Sequence, residues 1–239
     1  APELKPANFP TILVKPTAIR IVATDGMMTP ADLFVPKDAK PGDKRPAVIF
    51  MHGGSQRQMV LGFHYSQYYS NAYALNQYFV SKGYIVLSLN YRSGIGYGME
   101  FREALDYGAT GASEVRDVIG AGMYLRARAD VDTARVGLWG GSYGGYLTAM
   151  GLSTASNLFS CGVDIHGVHD WNNGIKNFIP SYNAEHMAAF SKKAFESSPV
   201  NFLDGWRSPV LLIHGDDDRN VNFNESVTLA ESLRKRKVH

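Results

Sequence analysis

Hydrophobic and polar positions follow two different rhythms along the chain. Residues 18–23 and 31–35 read as two short strands around the turn Asp25-Gly26. Past a polar Pro/Gly loop at 37–44, apolar residues gather into short unbroken runs at 47–51, 84–89, 136–139, Cys161–Ile165 and Val210–Ile213. Runs of that length without alternation suit strands of a parallel sheet covered on both faces. Helical patterns separate most of them. Val115, Val118, Ile119 and Met123 fall at i, i+3, i+4 and i+8, and Leu75 and Phe79 predict a helix over about 72–82 that Gly83 ends. Residues 143–153 and Asn224–Lys235 predict two more helices. Strands alternating with helices mean βαβ units and a mostly parallel α/β sheet flanked by helices. Before them, residues 1–17 carry Pro2, Pro6, Pro10 and Pro16 and read as a linker or arm from a preceding domain. Residues 18–239 read as one domain, with no internal repeat.

Composition narrows the function classes. Apolar residues make up 45% and charged residues 19%, an ordinary globular mixture. A net charge of +2 is too small to suggest a nucleic acid or acidic membrane partner. The basic run Arg234–Lys237 closes a predicted helix, where cations suit the helix dipole. No apolar stretch reaches the ~18 residues of a membrane span. The single cysteine, Cys161, excludes an internal disulfide; its apolar surroundings predict a small buried hydrophobe. The compartment stays open between cytoplasm and a bacterial periplasm.

Gly140-Gly141-Ser142-Tyr143-Gly144 matches G-x-S-x-G. The pattern alone is weak, but its setting is not: it joins a predicted strand directly to a predicted helix. A serine on so sharp a turn projects its Oγ from the carboxyl edge of the sheet. The N–H of Tyr143, at the helix N-terminus, is then placed to donate to an oxyanion. Ser142 is therefore the candidate nucleophile. An orienting acid belongs in a loop after a later strand, and the run Asp216-Asp217-Asp218 offers three choices. Triad order then requires a histidine, and the one that follows is His239. A helix of 14 residues rises roughly 20 Å, carrying the chain to the opposite edge of the sheet before His239. The expectation is a chain that stops short of its catalytic His, its last strand and its closing helix. His166 and His169 follow a strand at the proper edge but invert the acid–histidine order. Gly94-Ile-Gly-Tyr-Gly98 is no dinucleotide fingerprint, because Met99 follows it. No cofactor and no metal are expected.

The stretch Gly140–Tyr146 resembles the nucleophile elbow of the prolyl oligopeptidase family of serine peptidases, especially its dipeptidyl-peptidase-IV-like and acylaminoacyl-peptidase-like branches. His52-Gly53-Gly54, Asn90-Tyr91-Arg92-Ser93-Gly94 with Tyr97-Gly98, and Leu212-Ile213-His214-Gly215 occur in the family's order. The resemblance implies an α/β-hydrolase fold and resolves the acid to Asp218, which opens a D-x-x-V segment. It implies a second oxyanion donor at Gly53 N–H or the His52 region; Ser55 stands where the family usually has Pro. It implies a pocket for the residue before the scissile bond lined by Tyr143, Val168, Trp171 and Val221. Gly174 and Phe178 depart from the dipeptidyl-peptidase pattern, so strict proline preference is not implied. Arg92 and Asn220 are candidates for binding substrate carbonyl or carboxylate groups, or for structural roles. A short peptide substrate, an N-terminal β-propeller in the parent protein and no cofactor complete the implication; a homo-oligomer is compatible with it. The leading function is a serine peptidase working through an acyl-enzyme on Ser142. A carboxylesterase with the same triad and a non-catalytic interaction domain on the same scaffold are the alternatives.

Overall fold

A computed structural model of the chain describes residues 13–239. Most of the expected arm, residues 1–12, lies outside the described residues. Val14, at its end, is buried, and its backbone exchanges hydrogen bonds with the Gln77 side chain in both directions.

Among the described residues seven strands form one sheet: β1 (Thr17–Val22), β2 (Met28–Phe34), β3 (Arg45–Met51), β4 (Ile85–Leu89), β5 (Val131–Gly141), β6 (Cys161–Ile165) and β7 (Val210–Ile213). Their spatial order is β1-β2-β4-β3-β5-β6-β7. β1 pairs antiparallel with β2, and β2 with β4; the rest of the sheet is parallel. The unbroken apolar runs have the reason expected of them. Ala47, Ile49 and Met51 of β3 enter one core, while Val48 and Phe50 enter the other. A strand with both faces covered has no polar side to show, and each such buried side chain is worth ~1.5–3 kcal/mol.

One face is covered by α1 (Gln67–Ser81), whose Tyr69, Ala72, Tyr73 and Val80 pack with Phe50 and Trp139. The other is covered by α3 (Val115–Ala127), α4 (Tyr143–Thr154) and α7 (Asn224–Lys235). α4 is buried along nearly its whole length, so its sequence is apolar and small all round rather than striped. On α3 the buried face runs through Val115, Val118, Ala121, Gly122 and Leu125. Met123, expected on it, is exposed instead: its offset of eight residues from Val115 overshoots two helical turns. α1 begins five residues before the predicted start. Short α2 (Met99–Arg102), α5 (Trp171–Phe178) and α6 (Ala188–Glu196) were not predicted; the last two bury one residue each, Gly174 and Ala194, and so present no buried stripe.

Two further expectations fail. Cys161 is exposed, because it opens β6 at the sheet's amino edge. β7 is half-open, with Leu211 and Ile213 largely exposed. No described helix is long and apolar enough to cross a membrane.

Candidate active site

The parallel strands run their carboxyl ends to one edge, and Ser142 stands there between the end of β5 and the start of α4. Its backbone takes φ 57° and ψ −119°, a conformation unfavourable for a residue with a side chain by roughly 1–3 kcal/mol. The surroundings fix it there. Ser142 N–H donates to Ile165 O at 2.9 Å, and Ser142 O accepts the Tyr146 N–H at 3.0 Å. The turn closes because glycines let β3, β5 and α4 converge: a Cβ at Gly140 would come within 2.6 Å of the Met51 carbonyl, and one at Gly144 would collide with the same oxygen. The N–H of Tyr143 opens α4 and has no carbonyl one turn before it.

Ser142 and Tyr143 line a cavity of about 700 Å³. Val168, Trp171, Phe178 and Val221 form its apolar side, and Gly54, Ser55, Gln56 and Arg57 another. Four residues expected at a substrate pocket, Tyr143, Val168, Trp171 and Val221, are thus gathered beside the serine from three separate loops. Trp171 packs against both Tyr143 and Tyr146, with ring centroids 5.6 and 5.0 Å away. Gly174 lies behind this wall, against Val168.

Tyr143 is anchored from below. Its hydroxyl donates to Glu114 Oε1 at 2.5 Å, and the same carboxyl accepts the Gly108 N–H at 3.0 Å. Glu114 is wholly buried, and burial pushes its pKa up to about 7 despite those hydrogen bonds. Burial and the Glu114 carboxyl raise the Tyr143 hydroxyl well above its usual value. Nothing in the sequence around Glu114 pointed to this role.

Asp218 lies in the loop after β7. Its Oδ1 accepts N–H groups from Asn220 at 2.8 Å and Val221 at 2.9 Å. Burial raises its pKa, but these donors and the nearby His166 and His214 outweigh it, so the net shift is downward. His214 Nε2 sits 3.6 Å from Asp218 Oδ2, yet that ring is committed elsewhere, to Ser226 Oγ at 2.7 Å and Val221 O at 3.0 Å. His166 accepts the Ser142 N–H on Nδ1 at 3.1 Å, and its Nε2 faces Tyr68 Oη at 3.3 Å. Neither nitrogen bonds Ser142 Oγ or Asp218. His169 is buried and locked on Asp164 at 2.7 Å. His239 is bound through its carbonyl to Val210 N–H, at the amino end of β7 and the wrong edge of the sheet.

Three expected site residues are placed differently. Arg92 does not face the cavity: its guanidinium is buried between Asp117, at 2.7 Å, and Asp25, at 2.6 Å, and ties α3 to the β1–β2 turn. Asn220 is exposed and outside the cavity wall, its N–H serving Asp218. The His52 ring is fully buried and stacked on Tyr91, with Nδ1 bonded to Gly53 O; burial lowers its pKa to about 4, so it is neutral. Gly53 does pack against Ser142, but its N–H donates to Tyr69 Oη at 3.1 Å. Tyr69 went unnoticed in the sequence, where it is one aromatic in an amphipathic helix.

A strained serine on a strand–turn–helix elbow, at the carboxyl edge of a mostly parallel sheet, defines an α/β hydrolase. Comparison with known families is specific: residues 71–239 match the model of the prolyl oligopeptidase family, and the chain belongs to that family. It is 28% identical to dipeptidyl aminopeptidase BIII of Pseudoxanthomonas mexicana, over 95% of this chain and 34% of that protein. It is 30% identical to dipeptidyl peptidase 8 of Homo sapiens, over 91% of this chain and 24% of that protein. A puromycin-hydrolyzing peptidase of Mycobacterium tuberculosis superposes with a TM-score of 0.81 at 26% identity, over 98% of this chain and 36% of that one. An acylaminoacyl peptidase of Pyrococcus horikoshii shares the fold, with a TM-score of 0.75 at 24% identity, over 95% of this chain and 36% of that one. The chain spans about a third or less of the length of these relatives.

Proposed function

We propose that this chain is the catalytic domain of a serine peptidase that hydrolyses short peptides through an acyl-enzyme on Ser142. The observation that carries the proposal is Ser142 itself, held at φ 57° beside the open start of α4 on the rim of an apolar cavity. In this reading the Tyr143 N–H stabilises the oxyanion and Asp218 orients a histidine. Among the described residues no histidine bridges Ser142 Oγ and Asp218: His166 is turned to Ser142 N–H and Tyr68, His214 to Ser226 and Val221, His169 to Asp164, and His239 lies at the wrong edge. The hydroxyl of Tyr69, which accepts from Gly53 and has its own proton free, supplies the second oxyanion donor. The wall of Tyr143, Val168, Trp171 and Val221 receives a hydrophobic side chain before the scissile bond. A preceding β-propeller that limits substrate size belongs to the same proposal and rests on family membership.

The test is fluorophosphonate labelling of the full-length protein, with Ser142→Ala as control, followed by kinetics on dipeptide anilides and p-nitrophenyl esters. Labelling at Ser142 with peptide turnover is expected. Ester turnover without peptide cleavage overturns the reading in favour of a carboxylesterase, and an unlabelled protein overturns both.

A further inference from the structure

Among the described residues lining the Ser142 cavity, Arg57 is the one cation. It is held firmly. Its N–H donates to Ser55 O at 2.6 Å, its carbonyl accepts the Ile95 N–H at 3.0 Å, and its guanidinium carbon sits 4.5 Å from the centre of the Tyr69 ring. Tyr69 is in turn buried and bonded to Gly53. What Arg57 lacks is an anion. Its Nε is buried without a hydrogen-bond partner, and no described carboxylate lies within 4 Å of the guanidinium. Arg45, Arg92 and Arg128, by contrast, each pair with aspartate. The titratable groups that feel Arg57 are His52, His64, Tyr69 and Tyr91, and none of them is acidic. Glu114, the buried carboxyl beneath the cavity, is committed to Tyr143 and Gly108.

Arg57 is half-buried, and its buried Nε has neither an acceptor nor a counter-charge; a planar fork of donors in such a place is suited to a carboxylate. Sheet order says where that carboxylate sits. Ser142 ends β5; β3, whose loop carries Arg57, flanks β5 on one side, and β6, whose loop carries Val168 and Trp171, flanks it on the other. A peptide lying across Ser142 therefore meets an apolar wall on one side and Arg57 on the other.

We propose that Arg57 binds a carboxylate of the peptide on the leaving-group side of the scissile bond. This rests on the peptidase reading, which puts the residue before that bond against the apolar wall. Two sources share the chemistry: the C-terminal α-carboxylate of a short peptide and an acidic side chain.

The experiment is calorimetric titration of the full-length protein carrying Ser142→Ala, so that no probe turns over. The probes are Ala-Phe-Ala as free acid, Ala-Phe-Ala amide and Ala-Phe-Asp amide. A carboxylate is expected to tighten binding about tenfold over the neutral amide, equivalent to about 1.4 kcal/mol. Tightening by the free acid alone identifies a C-terminal α-carboxylate; tightening by the Asp peptide alone identifies an acidic side chain. Arg57→Gln should erase the advantage, so that acid and amide bind alike, and measurable binding of the neutral amide to the variant reports an intact site. Arg57→Lys should keep part of it. Equal binding of all three peptides, or an advantage that survives Arg57→Gln, overturns the inference. If that happens while the native protein still takes fluorophosphonate on Ser142 and cleaves dipeptide anilides, the peptidase reading stands without it; if no peptide binds and none is cleaved, both fall.

Discussion

Replacing Glu114 by Gln separates the cost of its charge from the value of its hydrogen bonds. Gln retains an oxygen that can accept from Tyr143 Oη and Gly108 N–H, but it cannot ionise. In the wild type, burial lifts the carboxyl from its ordinary 4.5 to about 7. Between those values the folded state keeps a proton that the unfolded chain has released. Stability is therefore greatest below pH 4.5, falls as pH rises through 7, and levels off above it. At about 1.36 kcal/mol per pKa unit, the loss approaches ~3 kcal/mol, a large part of a domain's stability. The variant escapes that loss, though its buried amide protons add a penalty that does not vary with pH. Asp32, raised by burial to about 7, titrates in the same window in both proteins and cancels in the difference. Urea unfolding at half-unit steps from pH 4.5 to 8 should show the stability of wild type minus variant falling by ~3 kcal/mol. Parallel curves would refute the argument and mean that Glu114 is not a buried, protonated carboxyl at neutral pH.

Tyr69→Phe removes the proposed second oxyanion donor and should lower kcat by 10²- to 10³-fold with little change in KM, measured on dipeptide anilides with the full-length protein. Asp117→Ala leaves Arg92 buried with Asp25 alone and should cost about 3 kcal/mol, read from chemical denaturation. Gly144→Ala drives a methyl into the Met51 carbonyl and should lower the melting temperature by several degrees while suppressing fluorophosphonate labelling; unchanged labelling would show that the elbow relaxes around the added methyl and refute the argument.

The features legible in the sequence are those that local physics dictates. An unbroken apolar run of five residues has few places to go but a covered strand, and residues 47–51 of β3 are such a run. The elbow is legible because a Gly-flanked serine between strand and helix has a narrow structural meaning. α7 ends where its basic run and loss of apolar spacing place it. The unforeseen parts depend on distance in the chain. Arg92 meets partners 67 and 25 residues away, and no local pattern distinguishes such an arginine from one in a substrate pocket. Glu114 precedes a helix and reads as an ordinary N-terminal acid until Tyr143, 29 residues on, is folded over it. Arg57 lies in a loop, where neither periodicity nor composition reports what faces a cavity.

The exposed Cys161 has a consequence beyond catalysis. It opens β6 at the amino edge of the sheet, a strand's length from the carboxyl edge where Ser142 stands. As the single cysteine of the sequence it offers one position for a thiol-directed fluorophore, which reports on folding without entering the cavity.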